Sequence, residues 1–196
     1  MKEKRNYSSA KNMAKIIIGV AGEMGSGKEA ISQYLVEKYH SSSHNFSQVL
    51  TDIAKRLYLP ITRETQTAIS GMIRTTFGQD IMAKVMANES KEDSTEIVVV
   101  QGIRRPQDMD QLRELPNFKL IYVEADIVVR YGRVKKRGEK ENDATMTFEQ
   151  FQHSHTYETE LAIAGLKEYA AHVVKNDGTM EQLHKQVDEI IAQYVK

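Results

Sequence analysis

The chain has no cysteine, no net charge and no long apolar run, and each absence excludes a class of protein. Without cysteine, the 196-residue sequence has no disulfide scaffold, no thiolate zinc site and no cysteine nucleophile. Its 27 Lys and Arg residues balance 27 Asp and Glu residues. That balance argues against a protein that binds nucleic acid non-specifically, because such proteins carry a basic excess. The balance does not exclude a local cluster of basic residues.

The longest apolar segments have the length of strands. Residues 16–18 and 97–100 fall far short of the ~20 apolar residues that a membrane helix needs. Residues 1–12 are basic and polar with no apolar core behind them, so we predict a flexible tail rather than a secretory signal. We therefore expect a cytoplasmic protein, monomeric or homodimeric, that binds neither a membrane nor nucleic acid.

Strand-like and helix-like patterns alternate over residues 13–196, which we interpret as one domain. Strands are predicted at residues 16–20, 43–47, 97–100, 119–123 and 171–174. The segments between them carry apolar residues at helical spacing, including a stripe over residues 65–77. Helix starts are predicted at Asp80, Pro106, Asp126, Thr147 and Thr179. This alternation predicts an α/β fold with a mainly parallel sheet.

One motif carries a specific chemistry. Residues 22–28 read Gly-Glu-Met-Gly-Ser-Gly-Lys, which fits G-x-x-x-x-G-K and lies between the first predicted strand and the first predicted helix. Glycines let the backbone N–H groups point at a phosphate, and the helix N-terminus adds a partial positive charge. Lys28 places a full charge near the outer phosphates. The motif therefore predicts a binding site for the phosphates of a nucleotide.

Two positions depart from the usual metal-binding pattern. Glu29 follows the lysine where a Ser or Thr hydroxyl ordinarily binds Mg²⁺, and the third strand ends at Gln101, where P-loop kinases often have an aspartate. In one interpretation the acid has moved from position 101 to position 29. In the other, Glu29 is an ordinary first-turn acid favoured by the helix dipole. The sequence leaves both open.

The sequence resembles the P-loop nucleoside-monophosphate-kinase superfamily, which includes dephospho-CoA kinases and deoxynucleoside monophosphate kinases. It is also similar to a kinase-like, mainly archaeal family of uncharacterised proteins. The matching stretches are residues 22–35, 62–83, 99–112 and 170–183. The resemblance implies a three-layer P-loop kinase fold, in which a five-stranded parallel sheet has helices on both faces. It also implies acceptor-site helices over residues 49–88 and a lid over residues 130–151.

The resemblance further implies ATP as the donor, with Mg²⁺, and a set of site residues. Those implied to hold the donor are Gly22, Glu23, Met24, Gly25, Ser26, Gly27, Lys28, Glu29, Ala30, Arg130, Asn176 and Gly178, with Glu29 as the metal ligand. Those implied in catalysis are Lys28, Arg104, Arg133, Arg137 and Asp52, and those implied to bind the acceptor are Arg74 and Arg104. Several have a plainer interpretation: Arg74 as a surface arginine, Asp52 as a helix-start acid, and the lid arginines as a solvated basic face. His153 and His155 are predicted to be surface histidines.

The leading hypothesis is an ATP-dependent phosphotransferase that moves the γ-phosphoryl group to a nucleotide-like acceptor, with a (deoxy)nucleoside monophosphate first. A dephospho-CoA kinase-like transfer to a hydroxyl, with Asp52 as the activating acid, is the runner-up. The departures at Glu29 and Gln101 favour a third reading, a nucleotide-binding regulatory protein with little turnover. An NTPase is a further alternative, although no residue is identified that would position its attacking water.

Overall fold

A computed structural model describes residues 14–138 and 144–195. The predicted tail (residues 1–12) and residues 139–143 of the predicted lid lie outside the described residues. The elements are β1 (Ile16–Ala21), α1 (Lys28–Tyr39), β2 (Ser42–Asn45), α2 (Phe46–Arg56), α3 (Arg63–Phe77), α4 (Ile81–Glu92), β3 (Ile97–Gln101), β4 (Phe118–Glu124), α5 (Ile127–Arg137), α6 (Phe148–Ser154), α7 (Glu158–Gly165), β5 (His172–Lys175) and α8 (Met180–Ile191), with 3₁₀ helices at Pro106–Met109 and Leu166–Tyr169.

The five strands form one parallel sheet in the order β2-β3-β1-β4-β5. All six residues of the central strand β1 are buried. A parallel sheet is covered on both faces, which explains why β1 and β3 are apolar at nearly every position instead of alternating. The predicted five-stranded parallel sheet is confirmed.

Two separate apolar cores lie on the two faces of the sheet, because successive side chains of a strand point to opposite sides. On one face, Ile18 and Val20 belong to the core formed with α1 and α8. On the other, Ile17 and Ala21 belong to the core formed with α2, α4 and the first 3₁₀ helix. The three-layer arrangement with helices on both faces is therefore confirmed.

Several predicted boundaries are corrected by local hydrogen bonds. The second strand ends at Asn45 rather than residue 47, because the Asn45 side chain accepts from the backbone N–H of Ser47 and starts α2. A 3₁₀ helix, not an α-helix, follows Arg105. Asp80 occupies the N-cap position of α4, but its carboxylate contacts Lys84 instead of a backbone N–H.

The remaining predicted caps are present. Asp126 accepts from the N–H of Val128, and the predicted capping boxes at Thr147 and Thr179 are both formed. These caps fix where α5, α6 and α8 begin, and α5 starts beside the carboxyl edge of the sheet. Within the described ranges, no helix is long and apolar enough to cross a membrane.

Candidate functional site

The loop between β1 and α1 lies at the carboxyl edge of the sheet and is shaped to bind an anion. Gly25 and Gly27 have φ angles of 79° and 97°, in the left-handed region that favours glycine. No hydrogen-bond acceptor from the described part of the chain meets their backbone N–H groups. Gly27 is the N-cap of α1 and brings no side-chain cap, so the first N–H groups of the helix stay available as well. Together these groups form a phosphate-binding concavity.

The carbonyl groups of the same loop are held from behind. Arg133 Nη1 lies 3.5 Å from the carbonyl oxygens of both Gly25 and Ser26, and Asn176 Nδ2 donates to the Ser26 carbonyl at 2.8 Å. Arg133 Nη2 also donates to the Asn176 carbonyl at 2.8 Å, and Asn176 is only 4% exposed. These contacts tie the two carbonyls to α5 and to the loop after β5.

A second set of contacts fixes the start of the loop. Arg130 Nη2 lies 3.2 Å from Glu23 Oε1, and Arg130 Nη1 lies 2.5 Å from His155 Nε2. Arg130 Nε donates to the Ala125 carbonyl at 3.1 Å, so its guanidinium, only 6% exposed, is fully engaged. Burial, with the nearby charge of Glu23, raises the pKa of Tyr122 above its ordinary value. His155 is thus a site residue that the sequence did not reveal: no motif marks it, and it was predicted to lie on the surface.

The positions of Arg130 and Arg133 bear on their predicted roles. Both were expected to contact the donor or the transferring phosphoryl group. In the structure, several of their N–H groups bind carbonyls or side chains of the loop and its supports. Contact between Arg133 and the transferring group stays a prediction, as does contact between Arg130 and the donor. What the structure does assign to both is the support of the loop.

The residues beside the loop fit a magnesium ion held mainly by phosphate oxygens and water. Glu29 is 61% exposed, and its Oε1 lies 3.4 Å from Lys28 Nζ, so a carboxylate and an ammonium lie side by side where the donor phosphates would bind. Mg²⁺ is usually bound by one or two carboxylates plus phosphates and water. Among residues 14–138 and 144–195, no group of three or more acidic or imidazole side chains could form a site without phosphate. Glu29 is the residue that would hold the ion.

A cavity of about 220 Å³ adjoins the loop on the side of α5. It brings together several predicted donor-site residues and the predicted catalytic Arg137; its lining is Gly25, Gly27, Glu29, Ala30, Arg133, Val134 and Arg137. Gly178 lies in the turn after β5, where a Cβ would overlap Gln182 of the α8 capping box. Asn176 therefore supports the phosphate loop, and Gly178 leaves room for the capping box of α8.

On the acceptor side, three arginines surround one buried carboxylate. Asp108, 3% exposed, accepts from Arg74 Nη2 at 2.8 Å and from the backbone N–H groups of Arg104 and Arg105 at 3.0 and 3.2 Å. Burial lowers the pKa of Arg74, while its pairing with Asp108 opposes that effect. Arg74 is therefore a clamp between α3 and the segment after β3, not the surface arginine of the plainer interpretation. The sequence analysis missed Asp108, whose contact with Arg74 spans 34 positions.

Arg104 and Asp52 differ in what they offer a ligand. The Arg104 side chain is exposed, and none of the described residues pairs with its guanidinium. Asp52 was predicted to begin a helix, but it lies within α2. Its carboxylate is 61% exposed and accepts a hydrogen bond from Gln48 at 2.7 Å. It lines a separate cavity of about 420 Å³ together with His44, Asn45 and Asp93.

The chain is similar to curated archaeal proteins along nearly its whole length. A UPF0200 protein from Sulfurisphaera tokodaii is 26% identical over 89% of this chain and 95% of its own length. Another UPF0200 protein, from Thermococcus gammatolerans, is 26% identical over 92% of this chain and 96% of its own length. The predicted similarity to a mainly archaeal family is confirmed.

Solved structures with the same fold include kinases. TT1252 from Thermus thermophilus matches with a TM-score of 0.59 at 15% identity, covering 94% of this chain and all of that protein. Shikimate kinase from Bacteroides thetaiotaomicron matches with a TM-score of 0.54 at 14% identity, covering 91% of this chain and 97% of that one. At such identities the similarity concerns the fold, which is that of P-loop kinases.

A protein-family model gives the assignment of the chain. The model described as AAA domain matches residues 18–156, from β1 through the phosphate loop to the end of α6 and His155. The match covers well over half of the 196 residues. The fold is that of P-loop kinases, and the chain belongs to the AAA domain family.

Proposed function

We propose that the chain is an ATP-dependent phosphotransferase that moves the γ-phosphoryl group, with Mg²⁺, to a (deoxy)nucleoside monophosphate. The observation that carries the proposal is the loop from Gly22 to Lys28, in which Arg133 and Asn176 hold the carbonyls of Gly25 and Ser26. The N–H groups of Gly25 and Gly27 meet no acceptor among the described residues. Phosphoryl transfer requires mainly positioning and neutralisation of charge, which such a loop and its lysine supply. The proposed enzyme is cytoplasmic and acts on a small molecule as a monomer or homodimer.

The side chains at the carboxyl ends of β2 and β3 favour a phosphate oxygen as acceptor. These ends carry Asn45 and Gln101, and both amides are occupied: Asn45 caps α2, and Gln101 donates to Ser43 Oγ at 2.7 Å. A hydroxyl acceptor needs a base placed to take its proton. A phosphate monoester is already largely ionised at pH 7 and needs none. A nucleoside monophosphate therefore suits this edge better than the hydroxyl of dephospho-CoA.

Four residues at the phosphate loop and beyond β3 have roles in this proposal. Lys28 neutralises the outer donor phosphates, and Glu29 holds the metal ion, which would shield donor charge when bound. Arg104, exposed beyond β3, binds the anionic group of the acceptor, and Asp108 holds the backbone of that segment through the N–H of Arg104. Ligands of open α/β sheets bind at this carboxyl edge.

The test is ATP consumption measured with a panel of acceptors. The panel contains nucleoside and deoxynucleoside monophosphates, dephospho-CoA, shikimate and a sample with no acceptor. A phosphotransferase consumes ATP only with its acceptor, an NTPase consumes it without one, and a binding protein does so in neither case. Lys28→Ala should abolish turnover, whereas the exposed Lys185→Ala should not. Equal turnover and equal ATP affinity in the two variants would contradict the proposal.

A regulatory protein that binds nucleotide with little turnover is the second candidate. The specific observation in its favour is the pair of departures at Glu29 and Gln101, since neither position has the usual metal-side residue. It predicts ATP binding that Lys28→Ala weakens, together with no consumption of ATP for any acceptor in the panel.

A further inference from the structure

Three segments that are far apart in the sequence meet behind the phosphate loop. Glu23 lies in the loop, Arg130 on α5 and His155 just after α6. Arg130 connects the other two, at 3.2 Å from Glu23 Oε1 and 2.5 Å from His155 Nε2. The cluster is largely buried: the side chains of Arg130, His155 and Glu23 are 6%, 16% and 21% exposed. Arg130 also lies over the fully buried ring of Phe151, 5.9 Å from its centre.

We propose that His155 is a positioning residue which, through Arg130 and Glu23, holds the phosphate loop in its anion-binding shape. The inference rests on the proposed function in one respect, that the loop binds nucleotide phosphates. Arg130 contacts the loop directly. Arg130 Nη1 lies 3.5 Å from the Met24 carbonyl, and a Cβ on Gly25 would lie 2.6 Å from the Arg130 carbonyl, so the first turn of α5 packs directly on the loop.

The hydrogen bonds of His155 define its protonation state. Nδ1 lies 2.8 Å from the Phe151 carbonyl, which can only accept, so the proton is on Nδ1. Nε2 faces the Arg130 guanidinium, which can only donate, so Nε2 must carry a lone pair. The contact with Arg130 therefore needs the neutral imidazole.

Two consequences follow for the loop. Removal of the imidazole should loosen the loop amides even without nucleotide. Removal of the imidazole should also weaken the binding of nucleotide phosphates, because the loop would no longer be held in its anion-binding shape. A histidine that serves only the stability of α6 predicts neither change.

The experiment compares His155→Ala, His155→Gln and the control His153→Ala. His153 is exposed, and its ring contacts that of Tyr157. It lies two residues before His155 and makes no contact with Arg130 or Glu23 in the described part of the chain, so it is a matched control. Two quantities are measured: the hydrogen-exchange protection of the amides of residues 22–28 in the free protein, and the affinity for a non-hydrolysable ATP analogue with Mg²⁺ at pH 8.

His155→Ala should lower the protection of the loop amides and weaken analogue binding about tenfold at pH 8, as expected for loss of a hydrogen bond to a charged group. His155→Gln should keep the affinity of the wild type at pH 8, since its amide oxygen can accept from Arg130. His153→Ala should keep both the loop protection and the affinity of the wild type.

Unchanged loop protection in His155→Ala would overturn the inference, as would an equal loss of affinity in His155→Ala and His155→Gln. If His155→Ala does not fold, the loop protection and affinity of His155→Gln decide alone, and values well below those of the wild type overturn the inference. If the wild type binds no analogue, the proposed function fails. In that case the exchange measurement in the free protein still decides whether His155 positions the loop.

Discussion

The close approach of Gly27 to Asn176 allows a sharp test of how the phosphate loop is built. A Cβ at position 27 would overlap Asn176 Nδ2, and the φ of Gly27 is 97°, a conformation that side chains rarely adopt. Asn176 in turn holds the Ser26 carbonyl at 2.8 Å and accepts from Arg133 at 3.3 Å. Gly27→Ala therefore creates both backbone strain and a clash with a buried, hydrogen-bonded amide.

The magnitude follows from these two effects. Left-handed backbone costs about 1–2 kcal/mol for a residue with a Cβ, and displacement of the Asn176 amide from its buried partners costs about 1–3 kcal/mol more. We expect Gly27→Ala to lower the free energy of unfolding by about 2–5 kcal/mol. Gly71→Ala is the matched control, because Gly71 lies within α3 with no atom near its would-be Cβ. That change should stabilise the protein by about 0.5–1 kcal/mol.

The assay is urea unfolding of the two variants and the wild type, together with titration of an ATP analogue. A double-mutant cycle with Asn176→Ala sharpens it, since removal of the amide relieves the clash and should make the double variant less destabilised than the sum of the single ones. We expect a coupling of at least about 1 kcal/mol. Equal stability of Gly27→Ala and Gly71→Ala, or strict additivity with Asn176→Ala, would refute the argument that this contact shapes the loop.

Three further changes test the acceptor side, the metal site and the acid limit of stability. Asp108→Asn should raise the KM for an anionic acceptor more than it lowers kcat, because Arg74 loses its charged partner; Asp110→Asn, whose partner is the partly exposed Arg113, should leave steady-state kinetics unchanged. Glu29→Gln should raise the Mg²⁺ concentration for half-maximal activity, since an amide is a poorer ligand than a carboxylate, and an unchanged requirement would make Glu29 a simple first-turn acid. Burial alone would raise the pKa of Asp93, but hydrogen bonds from Ser42, Thr95 and His44 outweigh it and hold the pKa well below its usual 3.8. The charged form therefore stabilises the fold above pH 3.8, and this stability is lost as the pH falls below it. Asp93→Asn should flatten the acid limb of a plot of unfolding free energy against pH, whereas the neighbouring Glu92→Gln should not.

The parts of the fold that local chemistry determines were predictable from the sequence. The helix predicted after the glycine motif is α1, Lys28–Tyr39, because the glycines before it and the apolar spacing within it act over a few residues. The capping boxes at Thr147 and Thr179 are local in the same way. The kind of sheet was predictable but the order of its strands was not. Apolar runs indicate a parallel sheet covered on both faces, without showing which strands are neighbours.

The contacts that complete the site were not predictable, because they join residues distant in sequence. Spacing places Arg130 and Arg133 on one face of α5, but it does not reveal that this face meets the loop carbonyls more than 100 residues earlier. The pairing of Arg74 with Asp108 is hidden for the same reason. Helix α3 gives the converse case: its apolar stripe predicted a buried face, yet Met72 and Phe77 are 58% and 66% exposed.

The distribution of charge explains how a neutral chain can bind a highly charged ligand. The phosphate loop is backed by Arg130 and Arg133, whose N–H groups are fixed on carbonyls and side chains, so their positive charge stays in place without a ligand. Preorganised charge of this kind costs no reorganisation when an anion binds. The Arg104 side chain lies at the same edge of the sheet and, unlike theirs, has no partner among the described residues. In the proposed function, the fixed arginines suit the donor phosphates at the loop. The Arg104 side chain suits the anionic group of an acceptor that would arrive separately and leave after the transfer.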